Sequence, residues 1–365
     1  MPPSAFDPVR LAGRVASWLV PAGEASDVVV SSRVRLARNL EDYPFVTKLS
    51  DERARELAQR LRPSLERFQS AGRMQWVDIA ESSDVLRLLL RERHLVSRDL
   101  APSTEERAAR IGRAVAFSDD ERLSVMVNEE DHLRLQSMEA GFDLEQAFAR
   151  ALALDRELES RLRYAANAQF GYLTACPTNV GTGMRASVML HLPALALVPS
   201  ELEKVFTAAA RTGLAVRGLY GEGSRAFGDF YQVSNQITLG RSEDSLVAEL
   251  RELVPAVVAF ERSVRAELQK SRRAELSDRV ARALGIVRSS RAMTTESALA
   301  QLSIRRLGQL LGLCPELDLR TLARLRVQIQ KAHLQVQSEG AVAKELVEPT
   351  ERDRLRAELL RRSFS

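Results

Sequence analysis

Apolar and polar positions divide this chain into a front part of short alternating segments and a back part with helical spacing. Residues 27–36 alternate around a Val-Val-Val run and predict a strand, whereas residues 51–69 carry helical spacing behind an acidic first turn. Residues 74–79, 113–117 and 123–128 predict further strands, with period-2 patterning from Leu123 to Val127. A long amphipathic helix is expected over 143–166 and another helix over 200–212, while 171–185, rich in Gly, Thr, Pro and Asn, reads as loop. Residues 215–218 and 230–234 read as strands on either side of a glycine-rich loop. From about residue 245 the pattern is helical throughout, over 245–272, 274–284, 296–311, 319–334 and 348–362. No internal repeat or low-complexity linker interrupts it.

Composition narrows the class. With 365 residues, the chain suits two structural units, and 45% hydrophobic with 28% charged residues is the range of globular domains. Two isolated cysteines, Cys176 and Cys314, do not make a disulfide framework, which points to a reducing compartment; a pairing between them stays open. Residues 1–19 lack a basic stretch followed by an apolar one, and no segment reaches the ~20 apolar residues of a membrane span. A cytoplasmic protein without membrane partners is expected. The net charge of +4 is too mild to argue for direct nucleic-acid binding. Only five of the 53 basic residues are lysine, so the other 48 are arginine, planar forks suited to anionic groups.

The usual nucleotide signatures are missing. There is no GxxxxGK[ST] loop, no strand-linked GxGxxG, and no HRD loop followed by DFG. Four other segments hold polar residues in arrangements that suit phosphate chemistry. In Ser31-Ser32-Arg33-Val34-Arg35 the two arginines lie two apart on an extended segment, and strand geometry sends both to one face. Asn128-Glu129-Glu130-Asp131-His132 places three acids at a strand end. Cys176-Pro-Thr-Asn-Val-Gly-Thr-Gly-Met-Arg185 sets a thiol and hydroxyls in a glycine-rich loop before an arginine. Arg217-Gly-Leu-Tyr-Gly-Glu-Gly223 carries Glu222 between two glycines, a loop able to close over a substrate and exclude water.

Taken together and in this order, the four segments resemble the phosphagen (guanidino) kinase family. The resemblance implies an α+β fold: a phosphagen-kinase-like catalytic domain, an antiparallel sheet flanked by helices, over 1–264, followed by an all-α domain over 265–365. It implies that Arg33, Arg35, Arg134, Arg185 and Arg217 bind ATP phosphates, with Mg²⁺ carried in on the nucleotide and no protein metal site. The nucleotide segments it implies are Ser31, Ser32, Arg33, Val34 and Arg35; Arg134; Arg185, Ala186, Ser187, Val188 and Met189; and Arg217, Gly218, Leu219, Tyr220, Gly221 and Glu222. His94 matches a histidine packed by the base. Glu130 and Glu222 become the carboxylates that hold a guanidinium acceptor, with either one as the base, and Cys176 the thiol beside them.

Two departures from the small-molecule members stand out. Arg33 comes only about thirty residues in, and a helical tail of about a hundred residues follows the catalytic motifs. Both are similar to the branch of the family that phosphorylates arginine in proteins. There, the motif matched by Arg352, Asp353, Arg356 and Ala357 forms a phosphoarginine-binding pocket. That resemblance implies arginine-containing protein substrates, a McsA-like activator, a Clp ATPase partner and a homodimer. A kinase of a free guanidino compound shares every catalytic motif, and a non-enzymatic phosphoarginine reader would use the tail motif alone.

Overall fold

A computed structural model describes residues 6–68, 72–102, 110–218, 227–314, 318–340 and 345–364. Eleven strands are described: β1 (Val29–Arg38), β2 (Arg67–Phe68), β3 (Gly72–Asp78), β4 (Ala114–Ser118), β5 (Leu123–Val127), β6 (Leu133–Ala140), β7 (Ala166–Asn167), β8 (Gly171–Tyr172), β9 (Met184–His191), β10 (Leu214–Gly218) and β11 (Phe230–Asn235). Apart from the β7–β8 pair they form one sheet in the order β10-β11-β9-β1-β6-β5-β4-β3-β2, antiparallel throughout. The front helices are α1 (Pro8–Gly13), α2 (Asp51–Leu65), α3 (Asp84–Glu92), α4 (Leu144–Glu159), α5 (Pro193–Ala196) and α6 (Pro199–Arg211). The back helices are α7 (Glu243–Ser271), α8 (Arg273–Ser289), α9 (Thr295–Leu310), α10 (Leu319–Gln328), α11 (Lys331–Glu339) and α12 (Pro349–Ser363).

Alternation on the central strands separates core from chemistry. Val34 and Leu36 of β1, Ala186, Val188 and Leu190 of β9, and Leu133 and Leu135 of β6 are fully buried in one hydrophobic cluster with residues of α2, α4 and α7. Period-2 geometry turns the intervening residues to the other face. On its β3–β5 half that face is covered by α1, α3 and α11, which meet Val77, Val115, Phe117 and Met126. On the β1–β9 half it carries the arginines.

The back helices form their own core, in which Ala357 and Leu360 of α12 meet residues of α8, α9 and α10. They also dock on the front: Val327 packs with Trp18 and Met138, and Ala332 and Val336 join the α1–α3 cluster. Among the described residues, no helix is long and apolar enough to cross a membrane. Cys176 and Cys314 are not joined in a disulfide. The expected boundary at 264/265 falls within the continuous helix α7.

Several elements depart from the sequence reading. β6 and β9 sit beside β1 at the centre of the sheet, where the sequence pattern predicts no strand, and β8 and the start of β9 fall within 171–185, which it predicts to be more loop than element. The expected helix over 319–334 is two helices, broken at Ile329 and Gln330. The start of the second is held from outside: the Glu92 carboxylate accepts from Ala332 N (2.9 Å) and His333 N (3.1 Å), and contacts His333 Nδ1 (2.7 Å).

Two histidines, His191 fully buried and His94 partly so, give the fold an acid limit. Burial, followed by the charges of Arg326, Arg33 and Arg93, pushes His94 down to about 3. Burial, followed by Arg306, Arg265 and Arg326, holds His191 well below its ordinary value. A histidine depressed in the folded state binds its proton preferentially when unfolded, so its contribution is complete above pH ~6.5 and is lost as pH falls towards 3. Urea midpoints measured at pH 7.5 and 5.0 should therefore differ, the lower pH being the less stable. His191→Asn should reduce that difference; an unchanged slope would remove His191 from the account.

Candidate active site

β1 supplies Arg33 and Arg35, and register assembles the rest around them. Arg35 lies directly opposite Arg185 on β9 and Gln136 on β6, and Ala37 lies opposite Arg134. Ser31 lies opposite Met189, which in turn faces Gln232, the partner of Arg217 on β10. Five arginines from four strands thus share one sheet face. Arg33 is steadied by Ser187 and Gln232: its Nε donates to Ser187 Oγ (3.3 Å) and its Nη2 to Gln232 Oε1 (2.7 Å).

The cluster opposes its own charge. Burial, followed by Arg185 and Arg134, holds Arg33 down to about 10. Arg35 is pushed well below its ordinary value by burial and then by Arg33, Arg134 and Arg185. Arg185 is lowered by burial and by Arg217 and Arg134, with Cys176 and Glu130 among the charges that offset them. Like charges gathered in a recess suit a polyanion, which would restore each cation's preference for its charged form. The donor set therefore fits a nucleotide polyphosphate.

The three consecutive acids have three different roles. Asn128 takes a left-handed φ of 55°, and its amide donates to Ala54 O and Gly112 O, turning the chain at the end of β5. Glu129 is buried and accepts from Arg134 Nη1 (2.7 Å) and Ser97 Oγ. Asp131 is buried and accepts from Asn39 Nδ2 (2.6 Å) and from Ala175 N (2.7 Å), the residue before Cys176. Only Glu130 is exposed; it accepts from Arg134 Nη2 at 3.0 Å. The part of its carboxyl shielded by the recess loses hydration, which raises its pKa above the ordinary value against the opposing pull of Arg134, with Asp131 and Glu129 adding to the rise.

Glu130, Arg35, Arg134, Arg185, Cys176 and Thr178 line one cavity of about 180 Å³. Cys176 Sγ lies 3.0 Å from Thr178 Oγ1. A second bond set fastens the far side of this loop to the sheet. Arg38 donates to Asp155 through Nε (3.1 Å) and Nη2 (2.7 Å) and to Thr182 O (2.9 Å), with its guanidinium 3.6 Å from the Tyr172 ring centroid.

Other expected site residues lie elsewhere. Val34, Ala186 and Val188 point into the core on the opposite face, so their side chains cannot meet a nucleotide there. Ser32 is buried, donating to Gly141 O and accepting from Asp143 N at the start of α4. Gly218 ends β10, while Leu219, Tyr220, Gly221 and Glu222 fall outside the described residues. His94 lines a small crevice with Arg33 and Ser31. Arg352 and Asp353 are half-buried on α12, Ala357 is in the tail core, and Arg356 is fully buried. Arg356 donates to Ile329 O (2.8 Å), Met293 O (2.6 Å) and Asp353 Oδ1 (2.5 Å), tying α12 to the neighbouring helices. Sequence reasoning missed Glu129, Asp131 and Gln232 as positioning residues. The first two stood within a motif already noticed, but nothing in a run of like acids says which are buried.

A family model described as the ATP:guanido phosphotransferase C-terminal catalytic domain matches residues 56–264. The chain belongs to the ATP:guanido phosphotransferase family. A second model, described as the protein-arginine kinase McsB C-terminal domain, matches residues 273–365. Close relatives include the protein-arginine kinases of Symbiobacterium thermophilum, 42% identical over 95% of this chain and 96% of that protein, and Moorella thermoacetica, 44% identical over 95% and 97%. Among solved structures, the duplicated taurocyamine kinase of Schistosoma mansoni is 28% identical with a TM-score of 0.58, covering 73% of this chain and 36% of that one. A lombricine kinase at 24% identity and a TM-score of 0.57 shares the fold. The protein is accordingly an ATP:guanidino phosphotransferase; Glu130, Arg134, Cys176, Arg185 and Arg217 lie within the matched residues 56–264, and Arg33 and Arg35 on β1 precede them.

Proposed function

We propose that this guanidino phosphotransferase moves the γ-phosphoryl group of ATP onto arginine side chains of proteins. The observation that carries the reading is the single cavity in which Arg35, Arg134 and Arg185 meet Glu130 and Cys176, in a chain similar to protein-arginine kinases over 95% of its length. In this reading the five arginines bind and align the polyphosphate, with Mg²⁺ held on the nucleotide, and offset the charge on the transferring group. Glu130 pins the acceptor guanidinium by charge-assisted hydrogen bonds and takes the proton its nitrogen loses; its raised pKa suits a base. Glu222 supplies the second carboxylate. Cys176 borders the acceptor, and Glu129 holds Arg134 in register.

The same reading includes a phosphoarginine-binding site at Arg352, Asp353, Arg356 and Ala357, a homodimer, and work alongside a McsA-like activator and a Clp ATPase. The match of residues 273–365 to the McsB C-terminal domain supports the tail's part in it.

The test is incubation with Mg-ATP and an arginine-rich unfolded protein, read by mass spectrometry for acid-labile phosphorus–nitrogen bonds. The expected product is phosphoarginine within the protein, lost in Glu222→Ala. Phosphorylation of free arginine alone would overturn the protein-kinase reading in favour of a small-molecule kinase.

A further inference from the structure

We infer that an apolar patch beside the Glu130 cavity, formed by Phe170, Ile237 and Leu239, docks the apolar side chains that flank a target arginine in an extended segment of protein substrate. This rests on the proposed reading of the protein as a kinase of arginine within proteins. Once an arginine side chain enters the Glu130 cavity, its main chain stays at the mouth. The residues on either side, about 3.3–3.6 Å apart along an extended chain, must then lie on the surrounding surface. On one side that surface is the loop whose Cys176, Thr178 and Asn179 line the cavity.

Two further segments are fastened to the outside of this loop. The Thr238 hydroxyl donates to Val180 O (2.6 Å) and lies 3.0 Å from Thr178 O. Gly181 exchanges both backbone hydrogen bonds with Tyr172 of the β7–β8 hairpin (2.8 and 3.2 Å), and at its φ of 111° an added Cβ would lie 2.6 Å from Thr238 O. Phe170 stands at the tip of that hairpin, where its N and that of Gln169 donate to Asn167 Oδ1 (3.2 and 2.8 Å). The hairpin tip, the cysteine loop and residues 236–240 therefore form one continuous surface with the cavity wall. Thr238 is buried beneath it, whereas Ile237 and Leu239 on either side are 60% and 48% exposed, and Phe170 is 44% exposed. Six large apolar side chains are exposed among the described residues, and half of them gather here, which is not the single scatter of an ordinary surface. Residues 166–171, 176–183 and 236–240 hold no charged side chain, in a chain that is 28% charged. Such a surface offers no ion pair to a charged partner and gains by removing apolar side chains from water. An arginine with apolar neighbours meets both sites at once, its guanidinium at Glu130 and its neighbours at the patch.

The experiment compares two peptides under Mg-ATP, each with one central arginine, flanked by leucine and isoleucine in one and by serine and glycine in the other, with phosphoarginine read by mass spectrometry. The unaltered full chain is expected to show about tenfold higher kcat/KM on the apolar-flanked peptide, carried mainly by KM. Combining Ile237→Ser with Leu239→Ser should bring that ratio to within about twofold, while the polar-flanked peptide and the KM for ATP stay within about twofold of their unaltered values. Phe170→Ser should lower the ratio independently, and Ile286→Ser, at an exposed position on α8, should leave it unchanged. No preference in the unaltered protein, a preference that survives the double variant, or an equal loss on both peptides would overturn the docking site. Dissociation of a dimer on sedimentation, with the preference intact, would overturn it in favour of a second copy of this chain. Activity on free arginine with neither peptide modified would instead sink the protein-arginine reading itself, and this inference with it.

Discussion

Arg35→Met is expected to raise the melting temperature of the ligand-free protein by about 2–5 °C while lowering kcat/KM by about a thousandfold or more. The two effects have one cause. Arg35 is held in a recess with Arg33, Arg134 and Arg185, and burial together with those charges disfavours its cationic form. Methionine keeps much of the stem's packing and removes both the desolvated charge and its repulsion; replacing buried charged groups by apolar residues of similar volume is often neutral or stabilising, by ~1–4 kcal/mol where it stabilises. Catalysis needs the opposite arrangement, because a transferring phosphoryl group is stabilised by cations already in place. A scanning calorimetry series with and without Mg-ATP checks it. The unaltered protein should gain more from saturating nucleotide, since ligand stabilisation grows with concentration over Kd and reaches ~2.7 kcal/mol at a hundredfold excess. A lower melting temperature in the variant would mean that Arg35 is chiefly a structural tie.

Glu130→Gln is expected to lower kcat by about 10²–10⁴, the range of a lost general base, with the KM for ATP little changed. Glutamine keeps an oxygen that can accept from Arg134, whose second anchor at Glu129 is untouched. What disappears is the proton-accepting carboxylate and its charge. Glu130 titrates above the ordinary carboxylate range, and only its ionised form acts as base. Activity of the unaltered enzyme should therefore decline as pH falls through that raised value, and the variant should lose this acidic limb. A pH–rate profile of kcat for both proteins separates the roles. If Glu130→Gln retains the limb along with most of its activity, the base lies elsewhere, with Glu222 the next carboxylate to test.

The arginine face was legible because period-2 geometry is local: two arginines two apart on a strand share a face whatever else the chain does. The Arg33–Arg35 pair needed no tertiary information. Arg185 sits on the face by the same rule, but β9 itself was obscured by the Gly, Thr and Pro residues that lead into it. The acidic run shows a different limit. Burial of Glu129 and Asp131 depends on Arg134, Asn39 and Ala175, and these partners are defined only once β1, β6 and the cysteine loop meet. The break between α10 and α11 was illegible for a related reason. No glycine or proline marks it, and the carboxylate that holds the second start comes from Glu92, about 240 positions away.

The two family matches follow one another along the chain, 56–264 and then 273–365, as though they were interchangeable cassettes. The short turn Phe227–Asp229 that leads into β11 argues otherwise. Gly228 runs so close to Leu299 of α9 that an added Cβ would lie 3.0 Å from its carbonyl oxygen, and the Asp229 carboxylate accepts from Ser303 Oγ. Ser303 in turn bonds the buried ring of His191 at the end of β9 (2.8 Å). A tail grafted from another protein would have to bring a small neighbour for Gly228 and a hydroxyl at the height of Ser303. Without them, the His191 imidazole would lose its Ser303 partner and the Asp229 carboxylate one of its hydrogen bonds where the chain enters β11. Recombination at this seam is thus constrained by a few interior atoms, and the two parts are expected to have changed together as one inherited unit.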